Sequence, residues 1–268
     1  MSDALPINNT DVPADYVGAW RKNSSNETAI WLQTHRLHAS LVLPIARPDF
    51  SARQGWDDFT EAELLLLAQQ GGVAGACIAQ NDILHRRRQI DYLPRRGEPD
   101  LRRMRREGEV LLETTLDNRL PCSWQLLAGP EQEIIALRFQ DAGIGAHDDQ
   151  RKGYLLIVGE HFLFVRDRSG VTQLAESLAV LAECKQLDRE QLISLLDFEI
   201  SYGRRTLDGT PWIISLSTLP QREGKHLLDD ATLRRVAAAG AHQPHPLRWD
   251  NLAYLRYWSL DEWHPATG

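Results

Sequence analysis

Glu199 is the residue whose surroundings demand the most explanation. It stands in Leu195-Leu196-Asp197-Phe198-Glu199-Ile200, and a carboxylate in an apolar strand must either pair with a cation or hold its proton. Strand alternation puts it on the face of Asp197 and Ser201. Pairing with Arg204, Arg205 or Arg222 would make it half of a structural salt bridge, the favoured alternative. Left unpaired, it becomes a candidate catalytic acid or base, with Tyr202 donating a hydrogen bond and Arg222 as the nearby cation.

Ligand chemistry has a second set of candidates. Eight tryptophans are many for 268 residues, and Trp31, Trp124, Trp212 and Trp258 all fall on predicted strands. Flat indole walls suit an apolar or aromatic molecule, although any single Trp serves equally well as core. Gln33, His85 and Ser217 are the polar groups expected beside Trp31, Trp124 and Trp212 in such a pocket. His35, Asp91, Tyr92 and Glu113 in the first half, with Arg204 and Glu223 in the second, are further polar strand positions.

Other chemistries find little footing. There is no Gly-x-Ser-x-Gly, and Cys77 and Cys122 sit in apolar or strand contexts where a thiol is inert. Gly143-Ile144-Gly145 lacks the rest of a dinucleotide fingerprint. His35 and His38, like His242 and His245, are three apart, which is no metal-ligand spacing, and no metal site is expected. A single axial His to haem needs no motif, so haem through His85 or His161 stays as an alternative to a cofactor-free protein. The segment 85–106 holds nine arginines in 22 residues. Arg outnumbers Lys 26 to 4 throughout, however, and the chain carries a net charge of −7. A solvated strand face is expected there rather than a nucleic-acid surface. Docking of a partner on that face is the second alternative.

The elements that must position these groups are short. Apolar runs at 29–32, 37–43, 73–79, 83–86, 110–114, 123–127 and 134–139 are broken by turn residues and read as strands of an antiparallel meander. The runs at 154–158, 161–165, 198–202, 212–216 and 252–258 read the same way. Thr60 and Glu63 form a capping box for a helix ended by Gly71-Gly72. Further helical patterning covers 172–196, with Asp188 capping Arg189–Leu196, although Val180-Leu181 and Leu192-Ile193 also suit strands. Asp230–Ala239 is one more short helix. The Gly/Asp-rich stretch 140–152 marks a boundary. The expected organisation is a lead-in over 1–15, a first barrel over 16–142 and a second over 150–268.

Gly18-Ala19-Trp20-Arg21 resembles the Gly-x-Trp opening of lipocalins and other calycins, where the Trp closes one end of an up-and-down barrel. Trp31-Leu32-Gln33-Thr34, His85-Arg86 with Ile90-Asp91-Tyr92-Leu93-Pro94, Glu199-Ile200-Ser201-Tyr202-Gly203 and Ser217–Gly224 extend the likeness. Together they resemble a little-described family of two-barrel lipocalin-like proteins, mostly bacterial with a fungal relative, over most of residues 16–228. That resemblance implies a mainly-β fold of two lipocalin-like antiparallel barrels with a few short helices, and a ligand-sized cavity. It implies no particular activity.

The expected function is binding of a small apolar or aromatic molecule in a barrel cavity. Cofactor-free acid–base conversion there, of lyase or isomerase type, is left open. Three widely spaced cysteines, no apolar run near the ~18 residues that span a bilayer and no signal-like start predict a cytoplasmic protein. No membrane or nucleic-acid partner is expected, and a monomer and a homodimer both fit.

Overall fold

A computed structural model describes residues 11–93, 100–117, 121–140, 151–169, 178–185, 187–238, 245–247 and 256–267. Eight antiparallel strands close into a barrel: β1 (Gly18–Asn23), β2 (Glu27–Gln33), β3 (Leu37–Pro44), β4 (Gly71–Gln80), β5 (Ile83–Asp91), β6 (Asp100–Glu107), β7 (Val110–Thr115) and β8 (Cys122–Ala128). β1 pairs with both β2 and β8, which shuts the sheet on itself and leaves no edge. A bulge at Gln89, where consecutive Ala74 and Gly75 face Ile90 and Arg88, bends β5 against β4. A Cβ on Gly75 would collide with the Arg87 carbonyl oxygen, so only glycine fits there.

One end of the barrel is plugged. The chain enters through a 3-10 turn at Ala14–Tyr16, with Val12 buried and its N–H donating to the His35 carbonyl at 2.7 Å. Trp20 is fully buried and donates its Nε1–H to the Tyr16 carbonyl at 3.1 Å. The Arg106 guanidinium lies over its ring, 5.6 Å from the centroid. The Tyr16 hydroxyl donates to the Met104 carbonyl, so the residues just before β1 close the barrel floor.

The described strands of the rest of the chain form a seven-stranded antiparallel sheet from β9 (Ile134–Gln140), β10 (Gly153–Val158), β11 (His161–Arg166), β12 (Glu199–Arg204), β13 (Ile213–Ser217), β14 (His245–Leu247) and β15 (Arg256–His264). Its order is β13-β12-β11-β10-β9-β15-β14. The expected grouping put the strand at 134–139 with the first barrel. Register instead pairs β9 with β10 and β15, so the chain changes sheets at the turn after Gly129. The expected boundary stretch lies mostly in 141–150, outside the described residues, as does His242.

Among the described residues there are four helices: α1 (Glu61–Leu67), α2 (Leu178–Lys185), α3 (Arg189–Leu196) and α4 (Asp230–Ala238). Thr60 and Glu63 make the predicted capping box on α1, and Asp188 caps α3 through the Gln191 N–H. Val180-Leu181 and Leu192-Ile193 are helical, not strands. Gly71-Gly72 open β4 instead of ending α1, because the two sheets approach closely there. A Cβ on Gly72 would press on the Ser40 carbonyl oxygen and the Ile200 side chain.

The outer face of β2–β4 (Ile30, Leu32, Ala39, Leu41 and Ala74) shares one buried core with Leu156, Leu163, Val165 and Ile200 of the second sheet. The other face of that sheet has its own core, with Phe162, Phe164, Trp212 and Ile214 among its members. The tertiary architecture is therefore a closed barrel with its outer wall packed on one face of a second antiparallel sheet.

Candidate functional site

Strand register decides which side chains enter the barrel. The cross-strand pairs Trp20↔Trp31, Gln33↔His38, Cys77↔Arg86, Arg86↔Asp100, Met104↔Glu113 and Leu111↔Trp124 all lie on one face. Contacts between strands that are not neighbours show that this face is the interior. The Arg86 guanidinium of β5 sits 5.6 Å from the Trp31 ring centroid of β2, and Trp31 meets Trp124 of β8 edge-on at 5.5 Å. Trp20 stacks on Trp31 from below, at 6.4 Å. Three indoles thus line the space above the floor.

Opposite this aromatic wall is a buried ion cluster. Arg86 reaches Glu113 Oε1 at 2.5 Å and Asp100 Oδ2 at 3.3 Å. Arg88 bonds Asp100 and Asp91, and Arg102 reaches both Asp100 and Glu113 at 3.1 Å. Trp124 donates its Nε1–H to the other Glu113 oxygen at 2.7 Å. Among the described residues three guanidiniums therefore face three carboxylates. Burial opposes ionisation of Asp100, but Arg86, Arg88 and Arg102 hold its carboxyl below the usual carboxylate range.

Beside the cluster, on the wall made by β2 and β3, four buried polar atoms have no hydrogen-bond partner: Trp31 Nε1, Gln33 Oε1 and both ring nitrogens of His38. His38 is 1% exposed. Burial, helped by Arg86 and resisted by Asp100, pushes its imidazole down to about 3, so it is neutral at pH 7 and offers one donor and one acceptor. Burial also pushes the neighbouring Cys77 thiol up to about 12, which leaves it protonated and unreactive. Unsatisfied buried polar groups are uncommon in folded proteins, and four in one place require an explanation.

Glu199 lies elsewhere, 2% exposed on the face of the second sheet turned away from the barrel. Arg222 Nε bonds its Oε1 at 2.9 Å, Arg166 Nε stands 3.9 Å from its Oε2, and Ser201 Oγ donates to it at 2.7 Å. Ser217 continues the chain through Ser201 at 2.9 Å. Of the predicted catalytic trio, Glu199 and Arg222 come together as a salt bridge. Tyr202 points from the opposite face of β12, stacks on His161 and bonds its Nδ1 at 2.8 Å. The three do not converge.

The predicted ligand residues divide likewise. Trp31, Gln33 and Trp124 share the barrel interior. Trp212 stacks on Phe162 in the second sheet's own core, and Ser217 is beside Glu199. His85 lies outside the barrel wall, because Arg86 next to it points in. The solvated arginine face is corrected in the same way, since Arg86, Arg88 and Arg102 are interior groups bound to carboxylates. Outside, Arg103 pairs with Asp82 and Arg105 with Glu107.

A separate open groove of about 890 Å³ lies outside the barrel, lined in part by Glu131, Glu133, Glu160, His161, Arg205 and Asp208. Arg205 is bound there to Glu133. Half of the groove's polar side chains are carboxylates at the surface, whereas the four unsatisfied atoms on Trp31, Gln33 and His38 are gathered on one wall of the barrel interior. Among the described residues no group of three or more His, Cys, Asp or Glu could hold a metal ion. No helix among them is long and apolar enough to cross a membrane.

No protein-family model matches the chain, and no curated protein matches it. Among solved structures it is similar to the crystal structure of the uncharacterized protein YLR301w from Saccharomyces cerevisiae, with a TM-score of 0.45 and 11% identity. That match covers 92% of this chain and 98% of the yeast one.

Proposed function

We propose that the first barrel binds one small, neutral, planar molecule that presents a hydrogen-bond donor and an acceptor side by side. The observation that carries this is the set of unpartnered polar atoms on Trp31, Gln33 and His38, buried between indole walls and an ion cluster. An eight-stranded barrel is about the size that holds one small ligand or fills itself with side chains. The ligand is neutral because the described interior charges are already paired, Arg86, Arg88 and Arg102 with Asp91, Asp100 and Glu113, and a further charge there would lie buried without a counter-charge of its own. The indoles supply stacking area, while the four free polar atoms supply orientation.

Binding is better supported than conversion. Glu199, the candidate acid or base, is held by two arginines and a serine away from the barrel, and the interior His38 is a weak base. The haem alternative has less support. His85 lies outside the barrel, and His161 lines a groove whose carboxylates would repel the propionates. Docking through the Arg-rich segment is weakened by the three arginines turned inward.

Quinolin-2-one is a suitable probe, being neutral and planar with an N–H next to a carbonyl. It should quench tryptophan fluorescence saturably and bind at least tenfold more tightly than naphthalene or quinoline-2-carboxylate. His38→Leu should remove that preference. A native mass spectrum of the purified protein should show a small neutral adduct when the barrel is occupied. Equal affinity for the three probes, or a preference for the carboxylate, would overturn the reading.

A further inference from the structure

The groove outside the barrel, of about 890 Å³, opens where the end of β8 meets the β8–β9 turn, the β10–β11 turn and the loop after β12. Among the described residues its lining sets four carboxylates, Glu131, Glu133, Glu160 and Asp208, against one cation, Arg205. Arg205 is bound to Glu133, and Glu160 is bound to Arg204. Glu131 and Asp208 have no cation among the described residues. Glu131 accepts from the Gln132 side chain at 3.4 Å, and Asp208 accepts from Thr210. Leu127, Ala128 and the 67% exposed Leu207 add apolar surface beside them.

A second observation comes from His161, which lines the same groove although it is only 7% exposed. Its Nδ1 is tied to the Tyr202 hydroxyl at 2.8 Å, with the two rings 10° from parallel. Tyr202 does not line the groove, so the ring edge that meets the space is the one carrying Nε2. That nitrogen has no hydrogen-bond partner among the described residues. Burial lowers the imidazole below its ordinary value of 6.5, with Glu160 opposing and Arg204 assisting, so the ring is neutral at pH 7. A neutral ring that donates Nδ1–H to the Tyr202 oxygen presents the Nε2 lone pair as an acceptor.

We infer that this groove binds an alkylammonium ion, a primary amine carried on a short apolar chain. Glu131 and Asp208 supply the counter-charge, His161 Nε2 accepts an N–H, and the leucines cover the methylenes. An ammonium brings three donors and no acceptor, which matches a lining rich in acceptors. A cleft walled by one sign of charge also draws the opposite sign from solution and repels its own. The barrel interior, whose charges are paired, takes a neutral molecule, so the two sites accept different ligands.

The test uses the whole protein and cadaverine (1,5-diaminopentane), with 1,5-pentanediol and glutarate at matched ionic strength as controls. Calorimetric titration should give a single saturable site for cadaverine, at least tenfold tighter than for the diol, and no binding of glutarate. Glu131→Gln combined with Asp208→Asn should weaken cadaverine at least tenfold, and both side chains are exposed, so the fold is kept. His161→Phe keeps a flat ring, removes the acceptor and should weaken binding at least threefold. An acetylated pentalysine peptide identifies the source of the amine: tighter binding than cadaverine means a lysine side chain of a partner, weaker binding a free amine. Equal binding of cadaverine and the diol, or cadaverine affinity unchanged in the Glu131/Asp208 variant, would overturn the inference. Quinolin-2-one quenching reports on the barrel alone, so failure at one site is distinguishable from failure at the other.

Discussion

The Arg86 guanidinium packs over the face of Trp31 while its Nη2 bonds Glu113 of β7, on the far side of β6, at 2.5 Å. The same Glu113 accepts from Trp124 Nε1 at 2.7 Å. One carboxylate therefore fixes both the cation that covers one indole and the ring of another. This arrangement fixes the positions of Trp31 and Trp124 relative to each other, and it gives the buried ion pair a part in ordering the aromatic wall. Such pairs seldom add net stability over a hydrophobic replacement, but breaking one leaves a charge stranded.

Glu113→Ala should therefore cost about 3–5 kcal/mol of folding stability, because Arg86 keeps its charge and loses its closest partner. Urea unfolding at pH 7 measures this directly. A loss below about 1 kcal/mol, the range of exposed pairs, would mean that the interior is wetter than the burial of Arg86 indicates.

Cys77 should be silent toward thiol reagents in the folded protein. Its thiol is buried and pushed up to about 12, so almost no thiolate exists at pH 8. Iodoacetamide labelling followed by peptide mass mapping should find Cys77 unmodified in the native state and modified in urea. Fast native labelling would show that the barrel opens readily.

Much of this architecture can be read from the sequence. Short apolar runs separated by turns announce antiparallel strands, Thr60 and Glu63 mark a helix start, and Gly18-Ala19-Trp20 marks a barrel floor. The Glu199–Arg222 pair is legible as well, because a carboxylate in an apolar strand needs a cation. The phase of β5 is not. Arg86-Arg87-Arg88 places arginine on both faces, so no alternation of residue type says which one points inward. His38 is hidden for a related reason, since its face is defined only by pairing with Gln33 and Gly75. Its position two residues before Ser40, on the face of Trp31, was the available signal. The sheet change at β9 leaves no local trace, because a strand has the same texture in either sheet.

Glu262 should act as a latch between the last strand and the barrel. Its buried carboxylate accepts from Thr34 Oγ1 at 2.6 Å and from the backbone N–H groups of His35 and Arg36 at 3.0 and 3.2 Å. It therefore satisfies the β2–β3 turn from 226 residues away. Glu262→Gln keeps the shape but loses the charge, at a cost of about 1–3 kcal/mol. Hydrogen exchange at the His35 and Arg36 amides should speed up in that variant. Unchanged exchange would show that the turn holds without it.

His38 makes the stability of the fold fall in mild acid. Its folded pKa of about 3 lies below the ordinary imidazole value of 6.5. Above 6.5 both folded and unfolded chains carry the neutral ring, and its contribution is fully present. Between 6.5 and 3 the unfolded chain takes up a proton that the folded barrel refuses, so stability drops by roughly 1.4 kcal/mol for each pH unit. From pH 6.5 to pH 5 the loss from this one residue is about 2 kcal/mol. His38→Gln should remove it, since glutamine does not titrate. Urea unfolding at the two pH values, in both proteins, isolates the difference, because the other ionisable groups are common to the pair. Parallel pH slopes would mean that His38 keeps access to water in the folded state. Its ring nitrogens would then not be the unsatisfied groups on which the ligand reading rests.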